Sequence, residues 1–288
     1  MTSIIYTATS RLYFGGMSNL THSTTAPSSS VPSSNPANSA NPANSTTTPH
    51  TARIPLALGL PLVRTTLLLA GWLGLRAWAG ANGTPFAHAL VWQNLVIIGV
   101  DLVTLALIAA VAKRHLGAGP RDWLRRVYGS FRPVDLAWGL LAGVIATIGF
   151  FAANFIANLI TYQGPPPIGA MSAPAIPIWL ALTSLLIMPI TIALAEEGLY
   201  RGVGTELLRP RLGKWGTWLV VALLFGVQHL FLTIDDPRAM LARVLTTFLA
   251  GLVFGALVWW FKKLWPVVIG HWLLDVLLLG LPMLALAQ

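Results

Sequence analysis

Three short segments in the second half of the chain carry acid and imidazole side chains in otherwise apolar surroundings. An ionised side chain in the middle of a membrane-spanning segment costs about 2.5 to 3.5 kcal/mol on insertion scales, so such residues are usually paired or functional. These segments are therefore our candidates for chemistry. They read Glu196-Glu-Gly-Leu-Tyr-Arg201, Phe225-Gly-Val-Gln-His229 and His271-Trp-Leu-Leu-Asp275.

The first segment contains two adjacent glutamates, which point about 100° apart on an α-helix. Glu197 and Arg201 are four residues apart on one face, in the acid-before-base order that favours an ion pair. We therefore predict that Glu197 pairs with Arg201 and that Glu196 keeps no local countercharge. A buried carboxylate of that kind is a candidate general base. The alternative is that Glu196, Glu197 and Arg201 only neutralise one another at a helix end.

The second and third segments are expected to meet the first inside the membrane. An antiparallel hairpin that turns near residues 211 to 212 would place Glu196 level with residue 227, within one helical turn of His229. His271 and Asp275 are four residues apart and share one helical face, at a depth that overlaps this level only approximately. The alternatives are that His229 is a hydrogen-bonded packing residue and that His271 and Asp275 only satisfy each other as a pair.

Two imidazoles and an unpaired carboxylate at a shared depth allow two kinds of hydrolysis. In one, Glu196, His229 and His271 bind zinc, and a water molecule takes the open position. In the other, Glu196 and His229 activate water without a metal, while His271 and Asp275 stabilise the oxyanion. The chain has no cysteine and no recognisable serine-nucleophile motif, so water is the expected nucleophile.

The composition shows which elements must position these side chains. Of the 288 residues, 55% are hydrophobic and 9% are charged, whereas a soluble domain carries roughly 25% charged residues. Apolar runs long enough to cross ~30 Å of hydrocarbon predict an all-α, polytopic transmembrane bundle, and not a soluble domain or an outer-membrane barrel. We attribute the net charge of +9 to basic cytosolic loops and expect no nucleic-acid partner.

The apolar pattern predicts about seven spans in the lipid bilayer. Pro189 would kink or split the fourth span, which makes eight crossings the alternative. Lys and Arg cluster in the second, fourth and sixth connections, so these loops and the N-terminus are expected on the cytosolic side. Asp101, in the second span, is interpreted as a polar residue that pairs helices. The spans cover residues 56 to 79, 90 to 112, 134 to 160, 178 to 208, 215 to 233, 239 to 261 and 266 to 286.

These patterns divide the chain into three parts. Residues 1–52 are rich in Ser, Thr, Asn, Ala and Pro, a composition that predicts a disordered tail. Residues 53–162 are predicted to form the N-terminal transmembrane helices, and residues 176–288 the catalytic core. We expect an integral, multi-pass protein of a prokaryotic plasma membrane.

In this order and spacing, the three segments resemble the CAAX prenyl protease and bacteriocin-processing (CPBP, Abi-type) family of glutamate-dependent intramembrane proteases, over about residues 176 to 280. The resemblance implies a helical-bundle endopeptidase that cleaves a membrane-tethered peptide or protein, such as a prenylated tail or a leader peptide. It also implies the residue roles. Glu196 and His229 would activate water, His271 and Asp275 would bind the oxyanion, and Glu197, Arg201 and Phe225 would support the site.

The family has been described both as metalloproteases and as glutamate-dependent proteases, so zinc on Glu196, His229 and His271 is the alternative to a site that requires no cofactor. The prenyl-protein branch of the family looks like one that prefers Asn at the last position of the third motif, where this chain has Asp275. An ionised Asp275 would repel an oxyanion, so Asp275 is expected to be protonated, to orient His271 or to bind a metal. A non-catalytic scaffold or bacteriocin-immunity factor and a proton-coupled transporter are the other function classes.

Overall fold

The computed structural model describes residues 53–119, 121–166, 174–234 and 236–288. The disordered tail predicted for residues 1–52 lies outside these ranges. The described part is a helical bundle, as the composition predicted, and its β-structure is an isolated bridge between Ile176 and Ala287.

The helices of the bundle are interspersed, in chain order, with two π-helical turns and one 3₁₀ turn. They are α1 (Arg53–Ala81), α2 (Phe86–Leu90), α3 (Gln93–His115), α4 (Trp123–Tyr128), α5 (Val134–Tyr162), α6 (Ile178–Leu186), α7 (Met188–Glu196), a π-helical turn (Glu197–Gly204), α8 (Thr205–Val227), a 3₁₀ turn (Gln228–Thr233), α9 (Pro237–Phe261), α10 (Trp265–Asp275), a second π-helical turn (Val276–Gly280) and α11 (Leu281–Leu284).

Six stretches of the described residues are long and apolar enough to cross a membrane. A crossing helix needs about 20 residues, and each of these stretches has at least that length. The protein is therefore an integral membrane protein. The stretches are Ile54–Ala81, Phe86–His115, Val134–Tyr162, Ile178–Thr233, Pro237–Phe261 and Trp265–Leu284.

The fourth stretch, Ile178–Thr233, has 56 residues and folds back on itself. Inside α8, Gly213 adopts φ 64° and ψ −172°, which is not helical. The Tyr200 hydroxyl donates to Gln228 Oε1 at 2.9 Å, although a continuous helix would hold these residues about 40 Å apart. The chain therefore reverses at Gly213, next to the expected turn, and forms an antiparallel hairpin. The number of crossings and the side of the N-terminus stay predictions.

The first arm of this hairpin is interrupted near Pro189, as its sequence indicated. Helix α6 ends at Leu186 and α7 begins at Met188, with Pro189 in its first turn. Proline has no N–H to donate to the preceding turn, so a regular helix cannot continue through it. The break occurs two turns before Glu196.

Helix α10, which carries His271 and Asp275, is packed closely against α5. A Cβ at Gly270 would lie 2.8 Å from Ala142 Cβ, and a Cβ at Gly143 would lie 2.7 Å from Leu273. Small residues of this kind let the backbones of two membrane helices approach each other closely. The close approach fixes the position from which α10 presents its polar side chains.

Candidate active site

His271 joins the two adjacent glutamates. Glu196 is the last residue of α7, and Glu197 begins the π-helical turn. His271 Nδ1 donates to Glu197 Oε1 at 2.8 Å, and His271 Nε2 lies 3.8 Å from Glu196 Oε2. Both carboxylates therefore face one imidazole, from its two nitrogens. Single π-helical turns within α-helices are frequent at functional sites.

The ion pair expected between Glu197 and Arg201 is present. Arg201 Nη1 lies 3.1 Å from Glu197 Oε1, and Arg201 Nη2 donates to the Gly251 carbonyl of α9 at 3.2 Å. The guanidinium carbon also lies 4.2 Å from the ring centroid of Phe225, a cation–π geometry. Phe225 thus supports Arg201, and Arg201 holds the glutamate that orients His271.

The prediction that Glu196 lacks a countercharge is wrong. Arg64 of α1 donates from Nη2 to Glu196 Oε1 at 2.9 Å, and the side chains of Arg64 and Glu196 are 2% and 5% exposed. Gln228 Nε2 donates to the same oxygen at 2.9 Å. The spacing within the motif revealed only the partner four residues away. Arg64 approaches from another helix, 132 positions earlier in the chain.

Asp101 of α3 binds the other terminal nitrogen of Arg64. Arg64 Nη1 lies 2.6 Å from Asp101 Oδ1, and the Thr191 hydroxyl donates to Asp101 Oδ2 at 2.9 Å. Asp101 therefore pairs helices, as interpreted from its position in a span. The signal that could have located Arg64 is the same one, because Arg64 is also a charged residue inside an apolar span.

Three carboxylate oxygens in this cluster have no hydrogen-bond partner among the described residues, namely Glu196 Oε2, Glu197 Oε2 and Asp275 Oδ2. His271 Nε2 lies 3.6 Å from Asp275 Oδ2 and 3.8 Å from Glu196 Oε2. Both distances exceed the usual hydrogen-bond range of about 2.7 to 3.2 Å. The unpartnered oxygens of Glu196 and Asp275 thus lie near the same imidazole nitrogen, His271 Nε2.

His229 lies at the edge of this cluster. It sits on the 3₁₀ turn directly after Gln228, and its Nδ1 is 2.8 Å from the Phe225 carbonyl. A carbonyl only accepts, so Nδ1 carries the proton and Nε2 is left as an acceptor. The Phe225 ring lies 5.0 Å from the His229 ring and 6.2 Å from the His271 ring, between centroids. His229 is half-buried and interacts electrostatically with Glu196.

The side-chain positions do not fit the zinc site that the sequence left open. Within the ranges that the structure describes, no group of three or more His, Cys, Asp and Glu side chains is arranged to hold a metal ion. Glu196 Oε1 is occupied by Arg64 and Gln228. The chemistry proposed below uses only these side chains, and a cofactor-free site stays a prediction.

Gly198, next to the two glutamates, lets helix α4 pack against the site. The Tyr128 hydroxyl of α4 donates to the Leu194 carbonyl at 2.7 Å, and burial raises the pKa of Tyr128 above its usual value. A Cβ at Gly198 would overlap the Tyr128 hydroxyl, and one at Gly202 would lie 2.7 Å from Val127. Both glycines are therefore packing notches for α4.

We expect Gly198→Ala to destabilise the protein by about 1 to 3 kcal/mol, because the added methyl group overpacks the contact with Tyr128. The measurement is thermal unfolding of the purified protein in detergent. Gly74→Ala is the matched control, since a Cβ at Gly74 would meet nothing within 4 Å. Equal melting temperatures for the two variants would contradict the overlap.

Comparison with known proteins identifies the part of the chain that carries the three motifs. Residues 177–277 match the model of a family described as Type II CAAX prenyl endopeptidase Rce1-like. Comparisons with curated proteins and with solved structures found no match. The matched segment includes Glu196, His229, His271 and Asp275 but not Arg64. The resemblance predicted from the motifs is thereby confirmed: over residues 177–277 the chain matches the type II CAAX prenyl endopeptidase, Rce1-like, family.

Proposed function

We propose that the protein is an intramembrane endopeptidase that hydrolyses a peptide bond of a membrane-associated protein or peptide, with water as the nucleophile. The observation that carries the proposal is the state of the Glu196 carboxylate. Oε1 accepts two hydrogen bonds, whereas Oε2 is buried, unpartnered among the described residues and directed at His271 Nε2, 3.8 Å away. The match of residues 177–277 to an endopeptidase family supports the same reaction.

Glu196 acts as the general base in this proposal. Its Oε1 is saturated by Arg64 and Gln228, so Oε2 is the oxygen that accepts the proton of the attacking water. His229 offers a second acceptor, Nε2, because the Phe225 carbonyl holds its proton on Nδ1. A positioned base of this kind contributes roughly 10²- to 10⁴-fold to a rate.

His271 and Asp275 stabilise the oxyanion of the tetrahedral intermediate. His271 Nδ1 already donates to Glu197, so His271 donates from Nε2 as well only when it is an imidazolium, and this is its state in the proposal. With neutral imidazoles, the two guanidinium groups and four carboxylates of the cluster would carry a net charge of about −2, which is unfavourable in a buried site. These groups are Arg64, Arg201, Asp101, Glu196, Glu197 and Asp275. An imidazolium at His271 and a proton on Asp275 neutralise that charge and supply two donors to the oxyanion.

The test is cleavage by the purified protein in lipid vesicles. We would offer three kinds of membrane-tethered peptide: a prenylated C-terminal tail, a leader peptide, and a single membrane-spanning segment with short flanks. The reaction is run in H₂¹⁸O, and mass spectrometry is expected to show two fragments, of which only the N-terminal one carries ¹⁸O, in its new C-terminal carboxyl group. Water attack requires that label.

The scaffold interpretation predicts the opposite results. The folded protein would cleave none of the three substrates, and Glu196→Ala and His229→Ala variants would complement a deletion phenotype as well as the parent protein does. That pair of results would replace the proposed hydrolysis with a binding function.

A further inference from the structure

We propose that Arg64 is a positioning residue for the base Glu196, so that the first transmembrane helix is part of the active site. This inference rests on the proposed function, because it requires Glu196 to act on water. Arg64 lies outside residues 177–277, the segment that matches the endopeptidase family. It also lies outside all three sequence motifs.

Every nitrogen of the Arg64 guanidinium has a partner in the buried network. Nη2 donates to Glu196 Oε1 at 2.9 Å, and Nε donates to Gln228 Oε1 at 3.0 Å. Nη1 donates to Asp101 Oδ1 at 2.6 Å and lies 3.3 Å from the Thr104 hydroxyl. The planar fork of arginine makes these bonds in fixed directions, which the flexible ammonium group of lysine cannot reproduce.

Arg64 also fixes the orientation of the second donor to Glu196. Its Nε and the Tyr200 hydroxyl, at 3.0 and 2.9 Å, both donate to Gln228 Oε1. Two donors on that oxygen force the amide NH₂ of Gln228 to the other side, where it donates to Glu196 Oε1 at 2.9 Å. Arg64 therefore restrains the carboxylate directly and through Gln228.

The consequence is that the two oxygens of Glu196 have different roles. Oε1 holds two hydrogen bonds and fixes the plane of the carboxylate, and Oε2 is left as the proton acceptor beside His271. A carboxylate free to rotate would share its basicity between both oxygens and spend less time in the reactive geometry. A misplacement of about 1 Å at a reacting group can lower a rate by roughly 100-fold.

Asp101 keeps this arrangement in balance. It is completely buried and neutralises Arg64 through Nη1, whereas Glu196 binds Nη2; Thr191 is bonded to the second oxygen of Asp101. Removing Arg64 alone would leave the buried carboxylates of Asp101 and Glu196 without their shared guanidinium, which is strongly destabilising. A variant that also neutralises Asp101 separates the effect on Glu196 from this general destabilisation.

The experiment compares Arg64→Met/Asp101→Asn with the parent protein, as full-length chains in vesicles, on a peptide that the parent cleaves. We expect kcat per folded molecule to fall about 10- to 100-fold with KM unchanged. Arg64→Lys keeps the charge but not the fork, and its kcat is expected between the two. The matched control is Asp122→Asn/Arg125→Met, an exposed pair at α4 with the same change of charge, which should keep the parent kcat.

A purely structural role would lower the amount of folded protein and leave kcat per folded molecule unchanged. That result for the double variant overturns the proposal. If the double variant does not fold, a parent-level kcat in Arg64→Lys overturns it, and a severalfold loss with unchanged KM supports it. Failure of the proposed function would look different, because cleavage would then survive in Glu196→Gln or be absent from the parent.

Discussion

Glu196→Gln is expected to lower kcat for peptide hydrolysis by about a thousandfold while the protein stays folded. The amide oxygen of glutamine can still accept from Arg64 and Gln228, as Glu196 Oε1 does. The position of Oε2 would be taken by an NH₂ group, which donates and cannot accept the proton of water. The measurement is single-turnover cleavage of a membrane-tethered peptide, with thermal unfolding as the check on folding.

The matched control for this change is Glu206→Gln. Glu206 lies in the first turn of α8 on the same arm of the hairpin, and its side chain is 41% exposed and paired with Arg126. The same chemical change at that position should leave the protein folded, since exposed ion pairs contribute little to stability. Turnover should therefore stay within about twofold of that of the parent protein. Turnover in Glu196→Gln at the level of this control would show that Glu196 is not the base.

His271→Asn is expected to lower kcat by about 100- to 1000-fold, as the loss of one oxyanion donor does in other hydrolases. The asparagine amide can take the place of Nδ1 and donate to Glu197, so the anchor of the ring at 2.8 Å is retained. No atom of asparagine reaches the position of Nε2, between Glu196 and Asp275. The variant therefore removes only the half of the imidazole that faces the reaction.

The control for the imidazole change is His88→Asn. His88 lies on α2 and is exposed, so its replacement should leave both the fold and the rate unchanged. A parent-level kcat in His271→Asn would show that Nε2 does not contact the transition state, and His271 would then be a packing residue that anchors Glu197.

Local helical geometry could be predicted from the sequence because it depends on short spacings. The Glu197–Arg201 pair follows from a separation of four residues on one face. The level of Glu196 in the hairpin was also predicted closely: residue 227 was expected opposite it, and Gln228 donates to it. Which side chain of the second arm faces Glu196 depends on the rotation of that arm about its axis. This rotation changes at the point where α8 ends and the 3₁₀ turn begins.

The contact between Arg64 and Glu196 could not be predicted in this way. It joins α1 to α7, and the side of a membrane bundle on which the first helix packs is not encoded in any short spacing. The sequence shows only that Arg64 lies in an apolar span, and an arginine in such a span could face a cavity, a partner or the lipid headgroups. Only the fold brings Asp101, Gln228 and Glu196 around it.

The site is assembled from helices that are far apart in the chain. Arg64 comes from α1, while His271 and Asp275 come from α10, near the other end in the order of synthesis. A nascent chain that has inserted its first helices into the bilayer already holds the cation but not the imidazole that faces Glu196. The proposed hydrolytic site is therefore complete only after the ribosome has synthesised α10.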